Sequence, residues 1–203
     1  EIVRHHGKLF ADKIQVIAEG WEHLLSYPND TPTLPAKLPF KQYILYVGSS
    51  REHKNWGRLI QAIQRCYPLL PEDWGFVFIG NTTMLSSKYQ RAIDHINRQR
   101  PIIQLTGWLD DQSLANYYRH AQALIFPSLS EGFGLPVLEA YFYRLPLLLS
   151  NQTALPEVAG DAAIYFDPYD VEDMAKTIID FVHTPNHDAL IQRQTQQLEK
   201  YSW

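Results

Sequence analysis

Cysteine is almost missing from this chain. The single one, Cys66, excludes an internal disulfide framework and fits a reducing compartment. No apolar run reaches the ~18 residues that cross a bilayer. The opening residues, Glu1 to Lys8, are charged where a signal peptide would be apolar. A cytoplasmic location is therefore expected. A surplus of positive charge is missing too: 18 Lys and Arg stand against 22 Asp and Glu, for a net charge of −4. That argues against a nucleic-acid partner and leaves room for a local basic pocket. There is no G-x-G-x-x-G and no G-x-x-x-x-G-K-[ST], so neither the dinucleotide fingerprint nor the P-loop is present. Asp-x-Asp is absent as well, and the adjacent His5 and His6 are poorly placed to share a metal. No metal site is expected. No Ser-His-Asp or Cys-His arrangement suggests nucleophilic catalysis.

What the chain does hold is enough apolar material for a sizeable core. Of its 203 residues, 45% are hydrophobic and 20% charged, which fits one domain or slightly more. Lys13 to Ala18 alternates like a short strand, and four prolines between Pro28 and Pro39 read as a linker. Residues 1–39 are thus expected to hold a first strand and a Pro-rich linker, 40–184 a domain, and 185–203 a closing helix.

From Phe40 on, short apolar runs alternate with helical periods. Strands are expected at Tyr43–Val47, Phe76–Ile79, Ile102–Thr106, Ala123–Phe126, Leu147–Ser150 and Ala162–Phe166. Between them lie helical stretches at Asn55–Tyr67, Ser86–Gln99, Asp110–Ala121, with an Asp cap, and Pro136–Tyr143, with proline in its first turn. Helices over Asp170–Val182 and Asp188–Tyr201 close the chain. Alternation of this kind specifies an α/β fold, a Rossmann-like doubly wound parallel sheet covered on both faces. Ligands in such sheets sit beyond the carboxyl ends of the strands. The chemistry is therefore expected in the loops after Val47, Ile79, Thr106 and Phe126.

The first of these loops runs Gly48-Ser49-Ser50-Arg51-Glu52-His53-Lys54-Asn55. A tight-turn glycine, two cations and a helix start suit phosphate oxygens, with Arg as a bidentate fork and Lys as a point charge. Taken alone, it reads equally well as a solvated turn. The fourth loop, Pro127 to Ala140, is more specific. Gly132 and Gly134 let backbone approach a ligand, and Pro136 sets the first helical turn. Glu131 and Glu139, eight residues apart, can border one crevice. A carboxylate at Glu139 can accept two hydrogen bonds from a cis-diol such as a ribose, and Glu131 can do the same for hexose hydroxyls.

The run S-E-G-F-G-L-P-V-L-E-A closely resembles the E-x₇-E signature of family 4 retaining glycosyltransferases, group 1 enzymes of the two-domain GT-B fold. The likeness spans nearly the whole chain. I-L-Y-V-G and H-K-N-W resemble the family's strand and phosphate loop, and I-I-Q-L-T-G-W-L-D-D the strand before its base pocket. L-P-E-V-A-G-D-A-A-I-Y-F-D-P-Y-D is similar to its C-terminal stretch, and K-I-Q-V-I-A-E-G to the passage between its domains.

The resemblance implies the C-terminal, donor-binding half of a GT-B fold, with an acceptor domain upstream and a last helix continuing past Trp203. It implies transfer of a hexose, glucose from UDP-glucose, to a glycan or lipid-linked acceptor in polysaccharide biosynthesis. Any peripheral membrane contact would come through the absent half. No cofactor or metal is implied. Lys54, with Arg51, would bind the diphosphate, and Gly48, Ser49 and Asn55 belong to that loop. Glu131 would act at the transferred sugar as the catalytic carboxylate. Backbone at Phe133, Gly134 and Leu135 would hold sugar and phosphate, Glu139 the ribose, and backbone near Leu109 the base. His53 and Ser49 stand where the family often has cations, and Tyr141-Phe142-Tyr143-Arg144 where it often has small residues.

Two other classes share the fold. A non-catalytic nucleotide-sugar regulatory module would share the binding site and differ in turnover. A dinucleotide-dependent dehydrogenase would need the missing glycine fingerprint. Trp56, Trp74 and Trp108 are expected to be packing residues, although Trp108 lies near the base pocket, and Cys66 is expected to be inert.

Overall fold

The computed structural model describes residues 18–22, 37–83 and 85–202. Six strands form one sheet: β1 (Gln42–Val47), β2 (Trp74–Ile79), β3 (Ile103–Gly107), β4 (Ala123–Phe126), β5 (Leu147–Ser150) and β6 (Ile164–Phe166). All pairings are parallel, in the order β3-β2-β1-β4-β5-β6. The helices between them are α1 (Trp56–Cys66), α2 (Ser87–Gln99), α3 (Asp111–His120), α4 (Leu135–Phe142) and α5 (Leu155–Ala159). After β6 come α6 (Val171–His183) and α7 (Asp188–Leu198).

Strand alternation sorts the core into two layers. On β1, Ile44 and Tyr46 face α1, α2 and α6, while Tyr43 and Leu45 face α3, α4 and α5. β2 divides the same way, Phe76 and Phe78 to one side and Val77 and Ile79 to the other. With both faces covered, every residue of β2, β4 and β5 is buried, hence their unbroken apolar runs.

The expected elements are found, with ends shifted by a residue or two. Asp110 caps α3, its carboxylate accepting from the Ser113 backbone N–H at 2.8 Å, and Asp170 caps α6 through Glu172 and Asp173. Cys66 is fully buried on α1, and burial pushes its thiol up to about 12, which keeps it protonated and inert. One helix was not expected. Leu155–Ala159 is a short helix, its Leu155, Val158 and Ala159 buried under the sheet. The closing helix expected from residue 185 is present and packs onto the same core: Gln194 donates to the carbonyls of Leu145 and Ala162, and Gln197 to that of Val158. The strand expected at Lys13–Ala18 and most of the proline-rich linker lie outside the described residues.

The strand order has one reversal. From β1 the chain winds outward through β2 and β3, then crosses back to lay β4 on the other side of β1. Loops leaving the carboxyl ends of β1 and β4 must part there in opposite directions, which opens a crevice between them.

Candidate functional site

Glycines close the carboxyl ends of the inner strands. Gly48 takes φ +150°, and the Cβ of an L-residue there would fall 2.8 Å from the Tyr46 hydroxyl. At Gly80 (φ +140°) a Cβ would fall 2.1 Å from the Gly48 carbonyl oxygen, so only two bare backbones can pass each other here. The Gly48 N–H donates to Ile79 at 2.9 Å and Gly80 to Gly107 at 2.9 Å, which finishes the sheet on the ligand side.

Beyond Gly48 the loop makes one 3-10 turn, Glu52–Lys54, and Asn55 ends it in the left-handed conformation (φ 62°), which Asn tolerates better than most residues. Asn55 is only 3% exposed. Its amide donates to the carbonyls of Pro127 at 3.1 Å and Pro168 at 2.8 Å, and its oxygen accepts from Arg58 at 3.2 Å. Expected among the donor-binding residues, Asn55 here ties the loops after β1, β4 and β6 together. A second tie joins the first two, from the Leu129 N–H to the His53 carbonyl at 2.8 Å.

That clamp brings two of the expected residues into contact. Lys54 Nζ lies 2.6 Å from Glu131 Oε1, the two side chains 19% and 13% exposed. The ammonium also stands 5.2 Å from the centre of the Phe126 ring. Partial burial makes each charge depend on the other, because either one left alone would be poorly solvated. The Glu131 N–H donates to Thr153 Oγ1 at 3.0 Å, which adds the loop after β5 to the site. Thr153, at φ 54°, falls outside the four loops singled out from the sequence.

Glu139 sits in α4 and accepts from the hydroxyl of Tyr118 on α3. Burial, and then the neighbouring Glu139 carboxylate, raise the Tyr118 phenol well above its ordinary range, so it stays protonated as a donor. Tyr118 was missed by sequence reasoning. The Tyr143 ring stacks on it at 5.2 Å, with the Arg119 guanidinium 5.5 Å from the Tyr143 ring. The bulky Tyr-Phe-Tyr run is thus accommodated: Tyr141 points into the core and donates to the Ala159 and Ala162 carbonyls, and Phe142 meets Trp21 at 5.4 Å.

Between the two glutamates, Gly134 (φ +97°) precedes α4 with no side chain to cap it, and a Cβ there would meet Leu155 at 2.7 Å. Of the first three residues of α4, Pro136 has no N–H and Val137 donates to the Gly134 carbonyl at 2.8 Å, which leaves the Leu135 N–H at the positive end of the helix dipole. Leu135 is 39% exposed, and Phe133 meets Tyr201 edge-on at 5.6 Å. Ser49 is half-buried, and its carbonyl accepts from Tyr46 at 3.4 Å. Leu109 packs partly against the core below α3.

Arg51 does not join Lys54. It is exposed and lines a cavity on the other side of the sheet, with Arg58 and Gln61. Trp108, expected to pack, is 79% exposed just after β3, whereas Trp56 and Trp74 are buried as expected. Among the described residues no group of three His, Cys, Asp or Glu side chains could hold a metal ion. Nor is any described helix long and apolar enough to cross a membrane.

A half-sheet with its crevice at a topological switch, an acid–base pair across it and an uncapped helix pointing in is the architecture of a GT-B domain. Solved structures agree on the fold. A UDP-forming α,α-trehalose-phosphate synthase from Burkholderia xenovorans superposes with a TM-score of 0.75 at 17% identity, over 92% of this chain and 48% of that one. The corresponding synthase from Burkholderia multivorans gives 0.75 at 18% identity, over 92% and 46%. The chain belongs to the glycosyl transferases group 1 family, whose sequence pattern matches residues 30–198. It is 31% identical to O-antigen chain mannosyltransferase B of Escherichia coli over 82% of this chain and 44% of that protein. It is also 26% identical to O-antigen chain mannosyltransferase RfbU of Salmonella typhimurium over 72% and 40%. The chain spans less than half the length of these relatives.

Proposed function

We propose that this chain is the donor-binding domain of a retaining hexosyltransferase that builds a polysaccharide of the O-antigen kind. The observation that carries the reading is the Lys54–Glu131 pair, held across the switch-point crevice at 2.6 Å. Without ligand the two charges satisfy each other. An arriving diphosphate offers Lys54 a stronger partner and releases the Glu131 carboxylate toward the hydroxyls of the transferred sugar. Negative charge building on the departing diphosphate meets Lys54 and the amino end of α4, with backbone at Phe133, Gly134 and Leu135. In this reading those groups do the work, and no metal is required.

Glu139 takes the ribose hydroxyls with Tyr118 holding its carboxylate, backbone at Leu109 reads the base, and Gly48 and Ser49 give the phosphates room. Asn55 positions Lys54 through the loops it ties. Arg51, expected beside the diphosphate, is left out because it faces another cavity. The acceptor, a glycan or lipid-linked glycan, would be bound by a second domain. Its hydroxyl oxygen attacks the anomeric carbon on the face the diphosphate leaves. The carbon–oxygen bond to phosphate breaks, and the hydroxyl proton passes to the leaving phosphate oxygen.

The sugar departs from expectation. UDP-glucose was the donor implied by the family at large. The O-antigen relatives above are named as mannosyltransferases, as is the serotype-specific mannosyltransferase WbdA of Escherichia coli, 33% identical over 68% of this chain and 17% of that protein. We therefore propose mannose in place of glucose. A free, buried Cys66 suits the cytoplasm, where nucleotide sugars are made.

Calorimetric titration with uridine and guanosine diphosphates and their glucose and mannose conjugates tests the donor. One mannose conjugate should bind tightest, and Glu139→Gln should weaken nucleotide binding about tenfold, the scale of one lost charge-assisted hydrogen bond. Glu131→Ala should abolish transfer by the complete enzyme yet leave nucleoside diphosphate binding in place. Unchanged nucleotide affinity in Glu139→Gln would remove the ribose assignment.

A further inference from the structure

On the side of the sheet away from Glu139, a cavity of about 640 Å³ opens between the loop after β1, the start of α1 and the entry to α2. Lys54, Glu131, Phe133 and Glu139 do not line it, so it is not the crevice described above. Its volume lies in the range of small-molecule sites, roughly 300–1,000 Å³.

The charge on its walls is one-sided. Arg51 and Arg58 face a single carboxylate, Glu52. Arg58 is already oriented, by Asn55 Oδ1 at 3.2 Å and by the Tyr169 ring at 5.4 Å. Between the two arginines begins α1, eleven residues long and without a side-chain cap, so its positive end and first N–H groups add to the field. Ser50 also borders the cavity, but its hydroxyl oxygen is closed off from solvent and belongs to the wall behind it. The rest of the wall suits a polyol. Gln61 and Ser86 bring an amide and a hydroxyl, and the Tyr89 phenol stands over the first turn of α1, where a Cβ on Gly57 would fall 2.2 Å from its oxygen.

We infer that this cavity is a second binding site, for the phosphate ester of a sugar. Arg51, Arg58 and the amino end of α1 take the phosphate, while Gln61, Ser86 and Tyr89 take hydroxyls. Tetrahedral phosphate matches two guanidinium forks and a helix end, and a chain that is negative overall concentrates positive charge here. Such an ester exists as a free sugar phosphate or as a phosphodiester within a glycan.

The test is calorimetry on the whole chain with mannose 6-phosphate, its methyl phosphodiester, mannose and inorganic phosphate. Mannose 6-phosphate should bind saturably and more tightly than inorganic phosphate, and mannose alone should not bind. A diester that binds equally well assigns the site to a phosphorylated glycan; a weaker one assigns it to the free monoester. Arg51→Gln, at an exposed position that threatens no core packing, should weaken binding about tenfold. Gln61→Leu should weaken it several-fold. Glu139→Gln and saturating nucleoside diphosphate should leave it unchanged. Failure of every phosphate to saturate, or an affinity untouched by Arg51→Gln, overturns the site. Competition by the nucleotide also overturns it, by returning the ligand to the donor crevice.

Discussion

The two faces of the sheet are equally buried but differently built. On the α1–α2–α6 side the centre is an aromatic cluster, Tyr46, Trp56 and Phe78, with ring centres 4.9–5.3 Å apart. Dispersion and shape hold it. The α3–α4–α5 side instead spends buried tyrosines on hydrogen bonds. Tyr43 donates to the Tyr117 carbonyl at 2.7 Å, Tyr141 to the carbonyls of Ala159 and Ala162, and Tyr118 to Glu139. The contrast follows from what each side carries. Long regular helices cover the first and need only packing. The second carries the eight-residue α4 and five-residue α5, and Tyr141 on α4 bonds the carbonyls at and just beyond the end of α5. The face that presents Glu139 is thus held by directional bonds.

That difference can be broken one side at a time. Trp56→Ala should be the most damaging change, costing about 3–5 kcal/mol in denaturant unfolding. Tyr141→Phe removes one of two donors from each of two buried carbonyls and should cost about 1 kcal/mol. A loss near zero there would mean the phenol bonds add nothing beyond packing. Tyr118→Phe should lower nucleotide affinity about as much as Glu139→Gln, and the double variant should add little if the tyrosine works through that carboxylate. Full additivity would dissolve the link.

Asp170→Ala removes a cap that accepts from two backbone N–H groups and should cost about 1 kcal/mol, measurable as a lower melting temperature. The smallest effect is expected at His187. Its ring stacks on Phe181 at 4.3 Å, and burial lowers its pKa below the usual histidine value. The unfolded chain then binds the proton more readily than the folded one. The stabilisation is present above the ordinary histidine pKa of about 6.5 and lost as pH falls through the lower folded value. His187→Phe should flatten that part of the stability–pH curve.

Much of this was legible in the sequence, and the exceptions share a cause. Apolar runs such as Ala123–Phe126 and Leu147–Ser150 mark central parallel strands, and glycine, proline and Asp110 mark the ends of elements. The loops after β1 and β4 were marked by composition, and Lys54 and Glu131 do meet. What composition cannot show is the tertiary partner of a polar side chain. Tyr118 reads as one more core aromatic until α3 is laid against α4, and Thr153 as a loop residue until Glu131 lies beside it. The same blindness put Arg51 next to Lys54, three residues away, although Arg51 lines a cavity that Lys54 does not reach and Lys54 pairs with Glu131. Trp108 failed for another reason: its size argued for burial, but it follows a strand-ending Gly107 at φ +76° that turns it outward.

One consequence follows from Asn55. A single carboxamide fastens three loops that are far apart in the sequence, so the rim of the crevice behaves mechanically as one plate rather than three fingers. Donor preference would then be hard to transplant by exchanging one loop between relatives, because the graft would arrive without its anchors. Swaps that move Gly48–Asn55, Pro127–Gly134 and Pro168 together should keep the rim intact where piecemeal chimaeras lose it.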